Sequence, residues 1–409
     1  MRESLYVHLK ISPDEFILVG QCVRDTALNK GVFKYAQSYL HRADAYPFDP
    51  INFPLSNEKF YLPYDKENPG IPGFILDGGP DHWGKRLLQT LLNPPPQSEV
   101  EFLLAASGTG VGALRFTATK DSPPPDAPFR PFEHLEDMIT IAKAIENGDV
   151  VDQSQRIYFE RGASVGGARP KTLIFYEGAE WIAKFPRIGD EFDNPLVEHL
   201  TMQMARETGM DVAETKIVHT SQGNVLLVRR FDWEVHGVIH FISLHSLINV
   251  YAIRDITDEA FNYTHIAKIT NGLSNDTQVK QEVFRRMLFN IAVGNTDDHM
   301  HNHAMIKMPN QKQYSLAPAY DVVPNPAFIG SHTICVGPMG RMPSKDNVLG
   351  AAQQMGLSNI ERDQIIQQVK QVTERWQEVM RAENIPDNQI QRMEKCFTPG
   401  QHVLAALAK

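Results

Sequence analysis

Apolar residues alternate or run together at positions 5–9 and 16–22, the pattern of half-buried and buried strands. Residues 32–39 read as extended or weakly helical. Residues 73–80 read as a strand followed by a glycine turn, and 83–92 as a helix stopped by Pro94, Pro95 and Pro96. Residues 102–106 and 112–119 flank another glycine turn. Four prolines within 121–128 predict a stiff, solvated linker, and 132–148 predicts one amphipathic helix ended by Gly148.

From residue 162 the pattern changes. Residues 162–171 form a glycine-rich loop. Residues 172–176, the Glu177-Gly178 turn and 181–185 predict a β-hairpin. A helix follows, with Asn194 as its expected N-cap, Pro195 at its first position and Gly209 just past its end. Residues 224–231 read as a strand. Beyond about residue 240 the chain reads as mostly helical, apart from a pair of strands at 304–308 and 314–317. Residues 361–382 predict one long amphipathic helix capped by Ser358.

Length and composition narrow the class. A chain of 409 residues suggests two or three subdomains, and 42% hydrophobic with 22% charged residues is ordinary for a soluble globular protein. Lys and Arg number 40 against 49 Asp and Glu, a net charge of −9, so no dominant basic face for nucleic acid is indicated. Cys22, Cys335 and Cys396 lie far apart without a CxxC pair and fit free thiols in a reducing compartment. The N-terminus lacks an apolar signal region, and no run of about 18 apolar residues occurs. A cytoplasmic protein with no membrane association is the expectation.

The chemistry concentrates at 294–302. Asp297, four residues, Asn302, and then Asp321 beyond two short apolar stretches is the spacing a phosphoryl-transfer site needs. One Asp orients the acceptor hydroxyl, while the Asn and the second Asp hold Mg²⁺ on nucleotide phosphates. Glycines in 162–171 let backbone N–H groups approach phosphate oxygens, with Arg169 and Lys171 adding positive charge. An ordinary turn between strands would look the same. Lys184, flanked by Ile182, Ala183 and Phe185, is placed to bind phosphates with Glu198 as its ion-pair partner; a snorkelling lysine on an edge strand is the plainer account. Residues 228–232 end a strand where an adenine-facing hinge would lie. His299, His301 and His303 with Asp297 and Asp298 also suit a transition-metal hydrolase if extended. More plainly, His301 and His303 are polar loop groups and His299 touches phosphate or shapes the loop. GxSxG, HExxH and CxxC are absent.

In this order the motifs resemble the HipA-like serine/threonine kinase family, the toxins of bacterial toxin–antitoxin modules. The residues carrying the resemblance are Ser164-Val165-Gly166-Gly167-Ala168-Arg169-Pro170-Lys171, Ala183-Lys184-Phe185-Pro186, Arg230-Phe231-Asp232, residues 295–302 and Pro318-Ala319-Tyr320-Asp321. Residues 33–40 and 108–116 are similar to the family's small N-terminal subdomain. The resemblance implies an α+β, two-lobed protein-kinase-like fold with a β-rich N-terminal subdomain and a mainly helical C-terminal lobe. It implies subdomains at 1–118, 119–155 (linker and helix), 156–235 (nucleotide-binding core) and 236–409 (helical lobe with the catalytic loop).

The implied roles are Asp297 as base, Asn302 and Asp321 as Mg²⁺ ligands, and Lys184 on the α/β-phosphates of ATP. Gly166, Gly167, Ala168, Arg169 and Lys171 would form the phosphate loop, Arg229 to Phe231 the hinge, with His299 and Tyr320 beside the nucleotide. Ser164 matches a serine that some members autophosphorylate. The implied partners are a helix-turn-helix antitoxin, through which alone DNA is reached, and a protein substrate, with an aminoacyl-tRNA synthetase as the family's example. Two departures stand out. Gln-Glu-Lys in the best-known members is Arg169-Pro170-Lys171 here, and Pro170 has no N–H to donate. Met300-His301 replaces the usual small residue plus Lys. A metal-dependent hydrolase and a catalytically weak ATP-binding co-repressor are the alternatives.

Overall fold

The computed structural model describes residues 2–12, 15–66, 68–106, 110–121, 123, 132–149, 151–152, 158–159, 167–234, 237–248, 261–309, 311–327 and 330–408. The chain divides into two compact units. The first comprises Met1–Arg187, Arg229–Asp255 and Ile306–Gln311; the second comprises Ile188–Val228, Ile256–Met305 and Lys312–Lys409.

In the first unit, β1 (Arg2–Ser12), β2 (Glu15–Asp25), β3 (Lys30–Tyr35), β4 (Phe60–Pro63) and β5 (Leu114–Thr117) form an antiparallel sheet ordered β4-β3-β2-β1-β5. Alternation places Leu5, Val7, Leu9 and Phe33 in the core. Phe33 meets Tyr35 and Phe74 edge-to-face at 4.9 and 5.3 Å, a favoured aromatic geometry.

One expectation fails here. Residues 73–76 form a helical turn, Gly73–Leu76, and the chain there passes so close to Ser246 that a Cβ on Gly73 would lie 2.6 Å from its Oγ. Residues 102–105, which the sequence places only beside a glycine turn, belong to the helix Glu99–Ala105, whose Ser98 side chain accepts the Glu101 N–H. The helices His82–Leu91 and Leu135–Asn147 match expectation, the latter ending at Gly148 with φ of 80°. β6 (Lys171–Tyr176) and β7 (Ala179–Lys184) form the expected hairpin. Glu177 and Gly178 both have positive φ, 48° and 76°, as a type I′ turn demands.

The second unit holds the hairpin of β8 (Thr215–Thr220) and β9 (Gly223–Arg229), whose last residue passes into the first unit, and, among the described residues, most of those in helices. The helix Asn194–Glu207 is capped one residue earlier than expected. The Asp193 carboxylate accepts the Leu196 N–H, and Gly209 follows with φ of 86°. Val279–Val293 is the central helix: eleven of its fifteen residues are buried, the mark of a helix packed on all sides. It packs against Tyr263–Leu273, Asn359–Thr373 and Asp387–Leu407. The last contact is backbone-close, since a Cβ on Gly400 would lie 1.9 Å from the Ile291 carbonyl oxygen. Residues 361–382 are two helices, Asn359–Thr373 and Trp376–Ala382. The break turns Trp376 onto Phe397, with ring centroids 4.1 Å apart, while the apolar stripe continues across it and so hides it in the sequence.

Candidate functional site

The loop that carries Asp297 starts where the central helix stops. Gly294 adopts φ of 69°, and a Cβ there would lie 2.2 Å from the Cys396 carbonyl oxygen, so both backbone and space require glycine. The Asn295 N–H then donates to the Asn290 carbonyl at 2.9 Å. Asn295, Thr296 and Asp298 are buried, while Asp297 between them is exposed.

Asp298 anchors the loop. Its Oδ2 accepts from the Tyr263 hydroxyl and from Asn290 Nδ2 (2.9 Å), and lies 2.8 Å from His303 Nε2. Burial pushes this carboxyl up, yet the charge of His303 and hydrogen bonds from His303 and Tyr263 outweigh it and hold Asp298 below the usual carboxylate range. Asp297 moves the other way. Partial desolvation raises it, His299 opposes, and the negative charges of Asp321 and Asp298 add to the rise.

Asn302 and Asp321 are held from several sides. Asn302 closes the short 3₁₀ turn Met300–Asn302 by donating its N–H to the His299 carbonyl at 2.8 Å. The Tyr320 hydroxyl donates to the His301 carbonyl at 2.6 Å, and the Ala317 N–H to the Ala304 carbonyl at 2.9 Å. On the other side, Ala319 exchanges hydrogen bonds with Asp211 and Ala213, at 2.8 and 2.9 Å. Between these ties Asp321 takes φ of 60°, a left-handed conformation costing a non-glycine residue about 1–2 kcal/mol. An Asn amide oxygen and an Asp carboxylate are hard oxygen donors of the kind Mg²⁺ takes alongside phosphates. The mutual repulsion of Asp297 and Asp321 is the field a cation would relieve, so the donor set fits Mg²⁺.

The three histidines do not form a ligand set. They would share a face in an extended chain, but the 3₁₀ turn separates them. His299 and His301 meet edge-on, with centroids 5.6 Å apart, and His303 is committed to Asp298. Among the described residues no group of three or more His, Cys, Asp or Glu side chains could hold a metal ion. His303, read from the sequence as a plain polar loop group, is 3% exposed and structural.

In the first unit, Gly167 has φ of 110°, and a Cβ there would lie 2.1 Å from the Lys171 ammonium. Lys171 is buried and its carbonyl accepts the Trp83 indole N–H at 2.9 Å. It stands opposite Lys184 in the β6–β7 register, and the Phe185 N–H donates to the Pro170 carbonyl. Thus Gly167, Ala168, Arg169, Lys171 and Lys184 gather at one end of this hairpin. Ser164 and Gly166 lie outside the described residues. Asp81 is raised to about 6 by burial, against the pull of the Lys171 charge. Glu198 is buried in the second unit.

Arg229 is exposed and Phe231 half-buried. Arg230 between them is 6% exposed and joins Glu180 at 2.9 Å and Asp232 at 2.6 Å, while the Gly112 N–H donates to Asp232 at 2.6 Å. Sequence reading missed this network. Its signal was a charged pair directly after the apolar residues 225–228, where charge is buried only when partnered.

The family model described as the HipA-like C-terminal domain matches residues 163–376, and that of the HipA N-terminal domain matches 15–117. The chain belongs to the HipA-like family. Among similar proteins, the putative kinase Y4dM of Sinorhizobium fredii is 27% identical over 229 residues, covering 51% of this chain and 54% of the relative. The serine/threonine-protein kinase toxin HipA of Shewanella oneidensis is 28% identical over 189 residues, covering 39% and 42%. The chain thus spans about half the length of the curated relatives it matches. In structure it is similar to a chain of the Shewanella oneidensis complex of HipA, HipB and operator DNA, with a TM-score of 0.70 at 18% identity and 99% of each chain covered. The HipA fold, β-rich at the N-terminal end and helical at the C-terminal end, is therefore shared at low identity. No helix among the described residues is long and apolar enough to cross a membrane.

Proposed function

We propose that this chain is an ATP- and Mg²⁺-dependent serine/threonine protein kinase and the toxin of a toxin–antitoxin pair. One observation carries the reading: an exposed Asp297, braced by the buried Asp298 anchor, coupled electrostatically to the strained Asp321. The similarity to a putative kinase and to a serine/threonine-protein kinase toxin supports it.

Asp297 accepts the proton of the acceptor hydroxyl as that oxygen bonds to the γ-phosphorus and the bond to the β,γ-bridging oxygen breaks. Its raised pKa makes it a better proton acceptor than an ordinary carboxylate. Asn302 and Asp321 would hold Mg²⁺, which supplies neutralisation of phosphate charge. Lys184 and Lys171 bind phosphate oxygens, and Arg169 supplies the contact that Pro170 cannot donate. Backbone groups of Gly166, Gly167 and Ala168 line the phosphates, those of Arg229 to Phe231 face the adenine, and His299 and Tyr320 lie beside the nucleotide. Ser164 is the proposed autophosphorylation site, a helix-turn-helix protein the proposed antitoxin, and an aminoacyl-tRNA synthetase the first substrate to try. The protein acts in the cytoplasm.

The test is incubation with ATP and Mg²⁺ followed by intact-mass and phosphosite analysis, with Asp297→Asn as control. Phosphate on the chain or on an added synthetase that vanishes in the variant supports the reading. ATP-dependent thermal stabilisation without transfer would leave a binding module, and no nucleotide effect would overturn the kinase altogether.

A further inference from the structure

Between Gly330 and the helix Lys345–Met355 the chain doubles back on itself. The His332 N–H donates to the Arg341 carbonyl at 3.2 Å, and the Val336 N–H to the Gly340 carbonyl at 3.0 Å. The base of this ribbon is fastened to the catalytic loop. Both the N–H and the hydroxyl of Thr333 donate to the Thr296 carbonyl at 3.0 Å, and Thr296 immediately precedes Asp297. Farther along, Cys335 exchanges hydrogen bonds with Phe261 and Tyr263, at 2.7 and 3.1 Å. Tyr263 is one of the three residues that hold Asp298.

The returning arm is fixed by one side chain. Asn347 is 0% exposed; its Oδ1 accepts the Met339 N–H at 2.8 Å, and its Nδ2 donates to the Gly340 and Met342 carbonyls at 2.9 Å each. A buried amide is thus almost wholly spent on the backbone of three turn residues. Beside Arg341, which donates to the Thr333 carbonyl, this turn presents apolar side chains. Met339 is 64% exposed and Met342 59%, with Pro338 exposed beside them. The Asn347 clamp fixes the backbone from which these two side chains project. Methionine is polarisable and unbranched, and accommodates varied apolar partners.

We infer that this ribbon is a docking rail for the acceptor polypeptide, taking a leucine-like side chain a few residues from the serine or threonine presented to Asp297. The inference rests on the kinase reading. The occupant follows from position: Thr333 and Thr296 make the ribbon continuous with the exposed Asp297. Met342 follows Arg341, whose carbonyl accepts the N–H of His332 beside Thr333, and extended peptide rises about 3.3 Å per residue, so an anchor on Met342 sits a short segment away from the hydroxyl, with Met339 farther along the same arm.

The probe is a set of serine peptides on an alanine–lysine background with one leucine moved along the sequence. Phosphorylation is measured with ATP and Mg²⁺, and binding without nucleotide by fluorescence anisotropy. In the wild type, leucine at a favoured position lowers the acceptor KM by about tenfold or more, as burying one such side chain does. Met339→Ser with Met342→Ser erases that preference and leaves kcat and the KM for ATP unchanged, while Met339→Leu with Met342→Leu restores it. Transfer without any leucine preference, or a preference indifferent to the serine pair, overturns the rail and keeps the kinase. Leucine-dependent binding that the serine pair abolishes, without transfer to any peptide or to the chain itself, overturns the kinase and keeps the docking surface. A change of oligomeric state in the serine pair, with acceptor KM untouched, makes the ribbon a self-association surface and overturns the inference.

Discussion

His303 Nε2 lies 2.8 Å from the Asp298 carboxylate, and this buried contact steadies a loop whose next-door residue, Asp297, is in solvent. The division of labour between adjacent aspartates, one anchoring and one reacting, makes them separable by mutation.

Asp298→Ala leaves the Tyr263, Asn290 and His303 donors facing no acceptor. Losing one partner of a buried polar cluster costs on the order of 3–5 kcal/mol, and turnover falls with it as the loop loosens. The folded pKa of Asp298 is depressed, so its contribution is present above about pH 4 and is lost as pH falls through the folded value. Chemical denaturation between pH 3 and 7 reads this, and Asp298→Ala flattens the acid end of the profile.

Asp297→Asn behaves oppositely. Turnover drops by about 10²–10⁴-fold, the range for a general base, while the melting temperature stays level or rises. The folded pKa of Asp297 is raised, so ionising it costs stability as pH climbs through that value, and the amide removes the cost. Calorimetry on wild type and variant at pH 7 checks the sign.

Arg230→Met strands two buried carboxylates, Glu180 and Asp232. A loss of about 3–5 kcal/mol is expected, confined to the first unit. Hydrogen exchange would show β6 and β7 deprotected and the central helix Val279–Val293 unchanged; uniform deprotection would contradict this.

Burial lowers His332 to about 4. Between that pH and about 6.5 the unfolded chain takes up a proton that the folded chain refuses, so stability falls on acidification by up to about 1.4 kcal/mol per pH unit. His199 is lowered too and acts in the same direction. In the first unit Asp49, Asp77 and Asp81, raised to about 6, act in the opposite sense. The difference between wild type and His332→Phe isolates the slope, which should vanish by pH 7.

Elements bounded by strong local chemistry were legible in the sequence. Glu177-Gly178 announced its hairpin, Gly148 its helix end, and Ser358 its cap, with the Glu361 side chain closing the capping box. Elements set by neighbours were not. Nothing local to Gly73 tells that Ser246 crowds it, and nothing in the stripe of 361–382 records that Trp376 must turn onto Phe397. For the site, the spacing of Asp297, Asn302 and Asp321 was visible, but their support was not. Tyr263 and Asn290 come from two other helices, and only the fold brings them to Asp298.

The close fit of Gly294 to Cys396 and of Gly400 to Ile291 sets where this protein can be cut. The recognisable HipA-like segment ends at residue 376, but the helix Asp387–Leu407 that seats the catalytic loop lies beyond it. An expression fragment trimmed to the family boundary would bare one flank of the central helix and release the loop at its glycine. The portion that matches the family is shorter than the portion that folds, and a truncated chain found inactive would say nothing about its chemistry.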